Sequence, residues 1–194
     1  LLALEQKQKR IQKLTSHNLN IFKFVCGDKK FEDFLNTDID PIATKAVLDY
    51  FYAIYYNPKF SPVIGKSVFS HRARYFIELY LGVYTDEKID VLKETLKHRA
   101  EITYMSRIPE KDYQKLIAKI EHKKHLTQKE VGYLCHMTGS NVNSILCEAR
   151  KGFYEYFKNF ESLLDSYIDG DASAVMSKIP AKFAKLYKYQ QDKK

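Results

Sequence analysis

Between residues 127 and 151 the chain reads Thr-Gln-Lys-Glu-Val-Gly-Tyr-Leu-Cys-His-Met-Thr-Gly-Ser-Asn-Val-Asn-Ser-Ile-Leu-Cys-Glu-Ala-Arg-Lys: hydroxyl, amide and cationic side chains set among regularly spaced apolar ones. Hydroxyls and amides donate and accept hydrogen bonds, and cations hold phosphates. The chemistry on offer is therefore recognition rather than bond breaking. The residue order predicts two short helices joined by a tight turn, a shape that presents one helix edge to the major groove of DNA.

Other constellations offer less. His122 and His125, in Glu121-His122-Lys123-Lys124-His125, have a spacing that could ligate a metal on a helix, but no Cys or third carboxylate stands near and two lysines would repel a cation. The run is expected to be a solvated basic loop that can still touch phosphate. Ser70-His71-Arg72-Ala73-Arg74 could hold an anion, with a polar helix face as the plainer reading. For catalysis there is no phosphate-cradling glycine loop, no Gly-x-Ser-x-Gly elbow and no His-Glu-x-x-His. The chain is expected not to be an enzyme and to use no catalytic residue, cofactor or metal, although acid–base pairs assembled by tertiary structure leave no local pattern.

The elements that would position the 127–151 residues can be read in detail. Thr127-Gln128-Lys129-Glu130 is a capping box, in which the Thr hydroxyl accepts from the Glu amide and the Glu side chain reaches back to the Thr amide. The first helix would run to about His136. Val131, Cys135, Met137, Val142 and Ile145 sit at offsets that lock two helices together, and Gly132 falls where they approach most closely and only Gly or Ala normally fits. Thr138 is a natural N-cap for the second helix.

With Ile108-Pro109-Glu110 before it, Leu126-Thr127-Gln128-Lys129-Glu130-Val131-Gly132 at its start and Glu148-Ala149-Arg150-Lys151 at its end, this stretch resembles the helix-turn-helix DNA-binding superfamily. Within that superfamily it is most similar to region 4 of bacterial sigma factors and to response-regulator output domains. The resemblance spans residues 108–151. It implies that a helix of about residues 139–151, starting at Gly139 and capped by Thr138, enters the major groove. It also implies that Ser140, Asn141, Asn143 and Ser144 face base edges, with Thr127, Lys129, Arg150 and Lys151 on phosphates. His136 departs from the pattern, standing where the family places a turn Gly. The outward positions carry no Arg or Lys before Arg150, so guanine readout through Arg is missing, while Asn can pair with adenine. Nothing in residues 1–106 resembles a promoter-melting region, which argues against a complete sigma factor.

The rest of the chain reads as helical scaffold. Hydrophobic residues make up 45% and aromatics 14%, which excludes wholesale disorder. Only 7 Gly and 5 Pro leave little material for the turns of a sandwich or barrel. Leu4, Ile11, Asn18 and Val25 recur every seven residues, with Leu14 and Ile21 in an offset seam that Lys7 interrupts. A helix over 2–25 is expected, either packed on the chain's own core or pairing in a homodimer. Further helices are expected over 29–36, from Pro41 to about Tyr56 with Val47, Leu48, Phe51, Ile54 and Tyr55 inward, and over 67–83 with Phe69, Phe76, Ile77 and Tyr80 inside. Gly82 would end the last of these. A helix capped at Thr85 would follow, reaching about Arg99 with Ile89, Leu92 and Leu96 inward, and another opened by Pro109 would carry Leu116, Ile117 and Ile120. Tyr50-Phe51-Tyr52 and Tyr55-Tyr56 are expected in core and interface. Phe183, Leu186 and Tyr187 would lie on a lysine-rich terminal helix.

The expected fold is all-α: a helical bundle over 1–105 for dimerisation, partner or ligand binding, and a helix-turn-helix domain with C-terminal helices over 106–194, linked at about 102–107. Net charge is +8 and the isoelectric point about 9.2, which favours a polyanionic partner. Cys26, Cys135 and Cys147 form no pair and are expected as buried thiols in a reducing compartment. No apolar run approaches the ~18 residues of a membrane span. A cytoplasmic protein, nucleoid-associated if bacterial, is expected. Because the chain opens on Leu1 rather than Met, the sequence leaves open whether residues precede it. The function expected is sequence-specific binding of double-stranded DNA by a transcriptional regulator. The alternative is a helical adaptor that binds a protein through its Tyr and Phe surface.

Overall fold

The computed structural model describes residues 16–56, 69–98, 108–156 and 158–181. Among these the chain is all-α, with ten helices and no strand. In chain order they are α1 (Ser16–Cys26), α2 (Asp28–Asn36), α3 (Pro41–Tyr56), α4 (His71–Leu81), α5 (Asp86–Lys97), α6 (Glu110–Glu121), α7 (Gln128–Cys135), α8 (Gly139–Tyr156), α9 (Lys158–Ile168) and α10 (Ala172–Lys178). No helix of the described residues is long and apolar enough to cross a membrane.

Local signals set most of these ends. The Ser70 hydroxyl accepts from the Ala73 amide at the start of α4, and the Thr85 hydroxyl accepts from the Lys88 amide at the start of α5. Gly82 closes α4 in the left-handed conformation at φ 70°, a backbone that L side chains rarely adopt. Proline stands at the first position of α3 and at the N-cap of α6.

The chain folds as two compact units, residues 69–151 and a second assembled from residues 1–68 and 152–194. This differs from the expected division at 105/106, where the structure describes nothing between residues 99 and 107. The helices α4 and α5, expected in the first domain, belong with α6 and α7 instead. Their connections explain it. Tyr80 O accepts from Leu126 N at 3.0 Å, Tyr84 Oη donates to Ile120 O at 3.4 Å, and Lys123 pairs with Asp86 at 2.8 Å. Phe76, Ile77, Leu79, Leu92, Leu96, Leu116, Ile120, Leu126 and Val131 are among the buried apolar residues of the 69–151 unit.

The other unit is aromatic. Phe22 meets Phe34 and Phe51 at 5.0 Å between ring centroids, Phe153 meets Phe160 at 5.0 Å, and Phe34 stacks on Tyr167 at 4.4 Å. The Tyr167 hydroxyl is satisfied by Thr44 Oγ1 at 2.7 Å. Across the surface, Lys30 bridges Glu161 and Asp165. The inward face expected of α3 is buried throughout, with Tyr50 and Tyr55, while Tyr52 is half-buried and Tyr56 exposed.

Of the expected first helix, the described part begins at Ser16. Leu4, Lys7, Ile11 and Leu14 lie outside the described residues, as does the Asn18 side chain. Ile21 and Val25, from the two seams, are buried in the chain's own core. The tail expected from residue 181 lies almost wholly outside the described residues.

Candidate nucleic-acid interface

α7 opens on the expected capping box: Thr127 Oγ1 accepts from Glu130 N at 3.2 Å, and Glu130 Oε2 accepts from Thr127 N at 2.7 Å. The same carboxylate takes both its oxygens to Lys119 Nζ, at 2.8 and 2.9 Å, fastening α6 to α7. Burial pushes the Glu130 carboxyl up, but the Lys119 ammonium and the Thr127 amide and hydroxyl outweigh it and hold it below its usual range.

The turn between α7 and α8 occupies residues 136–138. His136 takes the left-handed conformation at φ 56°, ψ 44°, a backbone that L side chains rarely adopt. Met137 N then donates to Gly132 O at 3.0 Å. A Cβ on Gly132 would collide with the Met137 carbonyl, which is why no side chain fits there. Thr138 Oγ1 accepts from Asn141 N at 3.2 Å and its carbonyl from Val142 N at 3.1 Å, capping α8 as expected. Of the five locking positions, Val131 and Val142 are fully buried, and Cys135, Met137 and Ile145 are half-buried.

Helical spacing sorts the residues of α8 cleanly. Val142, Leu146 and Ala149 are buried on one side, with Ile145 beside them. On the opposite side Ser140, Asn143, Ser144, Cys147 and Lys151 form an exposed stripe, flanked by exposed Asn141 and Arg150. At 1.5 Å per residue it is about 16 Å from Ser140 to Lys151.

The start of α7 lies beside the start of this stripe. A Cβ on Gly139 would come within 3.3 Å of Lys129 N and 3.5 Å of Gln128 C. Gly139 is therefore half-buried against α7 and presents backbone only. Exposed Thr127 and exposed Lys129 are brought to that end, Lys129 with its ammonium 5.7 Å from the Tyr133 ring. Hydrogen bonding to Tyr133 raises its pKa above the ordinary lysine value. Arg150 and Lys151 lie at the far end. All ten residues singled out in the sequence thus fall on one pair of helices and their N-caps, with cations at both ends of a neutral polar row.

The cysteines depart from the sequence reading. Cys147 is exposed, not buried, because it shares the stripe of Asn143 rather than that of Leu146. Cys26 is buried and Cys135 half-buried, and burial raises both thiols, Cys26 to about 12 and Cys135 to about 11. His122 and His125 lie in the exposed loop expected there: His122 caps the end of α6, and the His125 ring packs edge-on against Tyr80 at 4.1 Å. Burial, then the neighbouring Lys119 charge, lowers the His125 pKa.

Sequence reasoning missed Gln128. Its Nε2 donates to Asn143 Oδ1 at 2.9 Å, joining the first residue of α7 to the middle of the exposed stripe. The two residues stand fifteen apart, and only the turn geometry brings them together. Ser144 Oγ, meanwhile, donates to Ser140 O at 3.1 Å.

Among the described residues no group of three His, Cys, Asp or Glu side chains is placed to hold a metal. No protein-family model matches the chain, and no curated protein or solved structure is significantly similar to it.

Proposed function

We propose that the chain is a sequence-specific regulator that binds double-stranded DNA by placing α8, from Gly139 to about residue 151, in the major groove as a helix-turn-helix reader. The observation that carries the reading is the exposed Ser140, Asn143, Ser144 row on a helix whose other side is locked in a core. A row of hydroxyls and amides on a rigid helix matches the donors and acceptors of base edges. Thr127 and Lys129 at one end, Arg150 and Lys151 at the other, supply phosphate contacts that set register without reading sequence. The net charge of +8 acts in the same direction.

Substitutions separate the two roles. R150E together with K151E should weaken binding to every duplex and lower the slope of log affinity against log salt by about 2, near one unit per lost phosphate contact. N143A should leave affinity for random DNA nearly unchanged and cost about 1–3 kcal/mol of discrimination at one base position. Competition titrations of the full chain with selected and random duplexes measure both. Unchanged binding in both variants would contradict the assignment and favour the helical adaptor.

A further inference from the structure

Resting on that reading, we propose that Gln128 sets the base preference of Asn143, by occupying its amide oxygen so that only the amide NH2 faces the groove. An asparagine with both groups available pairs with adenine, accepting from N6 and donating to N7. Here Asn143 Oδ1 already receives two donors, Gln128 Nε2 at 2.9 Å and Cys147 Sγ at 3.7 Å. A carbonyl oxygen has two lone-pair directions, and both are taken. What Asn143 keeps for a ligand is Nδ2 with its two hydrogens.

A donor-only group favours guanine, whose N7 and O6 are both acceptors in the major groove, over adenine, which sets a donor beside its single acceptor. The outer face lacks an arginine before Arg150 and yet holds a guanine reader of another kind. Gln128 is a positioning residue in this scheme. It is half-buried at the first turn of α7, on the neighbour of Lys129, whose backbone lies against Gly139. The orientation of the Asn143 amide is therefore tied to the same close approach that fixes the two helices.

The test is selection from a duplex library with a randomised core, using the full chain and its Q128E, Q128A and N143A variants. The unsubstituted protein should enrich guanine over adenine at one position by about five- to tenfold, and N143A should lose that preference there. In Q128E the new carboxylate can only accept, so it takes the Asn143 NH2 and turns Oδ1 outward. The same position should then favour a base that offers a donor, cytosine N4 or adenine N6. An acidic residue in the first turn of a helix is favourable, so Q128E keeps α7 folded. Q128A frees the oxygen and should admit adenine beside guanine. A reversal of sign is not what simple loss of structure produces. Salt-sensitive binding in which Q128E keeps the guanine preference, or in which the unsubstituted protein enriches adenine or no base at all, overturns this inference and leaves the DNA reading standing. Absence of salt-sensitive binding to any duplex overturns the DNA reading itself.

Discussion

Glu130 shows how one side chain can fix a local geometry and join two elements. Its oxygens accept from Thr127 N and from Lys119 Nζ, so it completes the capping box and ties α6 to α7 together. The Thr127 and Glu130 half of this was legible, because a capping box is local and spans four residues. The Lys119 half was not, since the lysine lies beyond the intervening turn. Because the folded carboxyl sits below the usual range, the unfolded chain binds the proton more readily as pH falls. The stability Glu130 contributes is therefore present above the ordinary carboxyl value of 4.5 and lost as pH falls below it toward the folded value. E130Q should cost about 1 kcal/mol at neutral pH, through loss of the charged pair with Lys119, while the Gln amide oxygen still accepts from Thr127 N and keeps the cap. It should also flatten the acid limb of the stability curve. Urea unfolding at a series of pH values from neutral to 3 reads both effects, and an unchanged acid limb would remove Glu130 from this role. Gln128 and Asn143 teach the same lesson as Glu130 and Lys119: residue types declare what they can bond to, while partners eleven or fifteen positions apart are chosen by the intervening turn.

At the scale of elements, the helix starts at Thr85, Thr127 and Thr138 follow from side chains within four positions of the bond they make, and the stop at Gly82 from the left-handed backbone that glycine allows, whereas the helix expected from residue 67 starts only at His71, capped by Ser70. The inward faces of α3 and α6 followed from 3.6-residue periodicity for the same reason. Two outcomes did not. His136 adopts the left-handed turn conformation despite being neither Gly nor Asn, and Cys147 points outward from a position that reads as apolar. A free thiol is apolar enough to be counted as core, and its exposure is settled only by where Val142, Leu146 and Ala149 turn the helix. Gly82 does two tasks that a sequence can show only in part. Its φ of 70° marks a helix end, but the backbone carbonyls of Lys123 and Lys124, 2.5 and 2.8 Å from where a Cβ would stand, belong to another element. G82A should therefore destabilise the 69–151 unit by about 2 kcal/mol or more, combining backbone strain with a clash against main chain. Hydrogen exchange at α4 and at the turn after α6 would register it as faster opening, and protection equal to the parent would contradict the close approach.

For the whole molecule, the all-α class was legible from composition and periodicity, whereas the partition into units was not. Composition hardly shifts near residue 105, and what joins α4 and α5 to α6 and α7 is shared apolar burial together with long-range bonds such as those of Tyr80 O and Tyr84 Oη, none of which is local in sequence. The compact unit of residues 69–151 carries all ten proposed contact residues, and the other unit is assembled from both ends of the chain. A basic chain of +8 offering a row of neutral hydrogen-bonding groups between cations should bind DNA first through phosphates. The most direct measurement is the affinity of the full chain for a random duplex at 50 and 200 mM salt. The account predicts salt-sensitive binding that weakens severalfold or more for each phosphate contact over that range, with a shallower slope in the R150E, K151E variant. Absence of binding at the lower salt, or an affinity indifferent to salt, would contradict it.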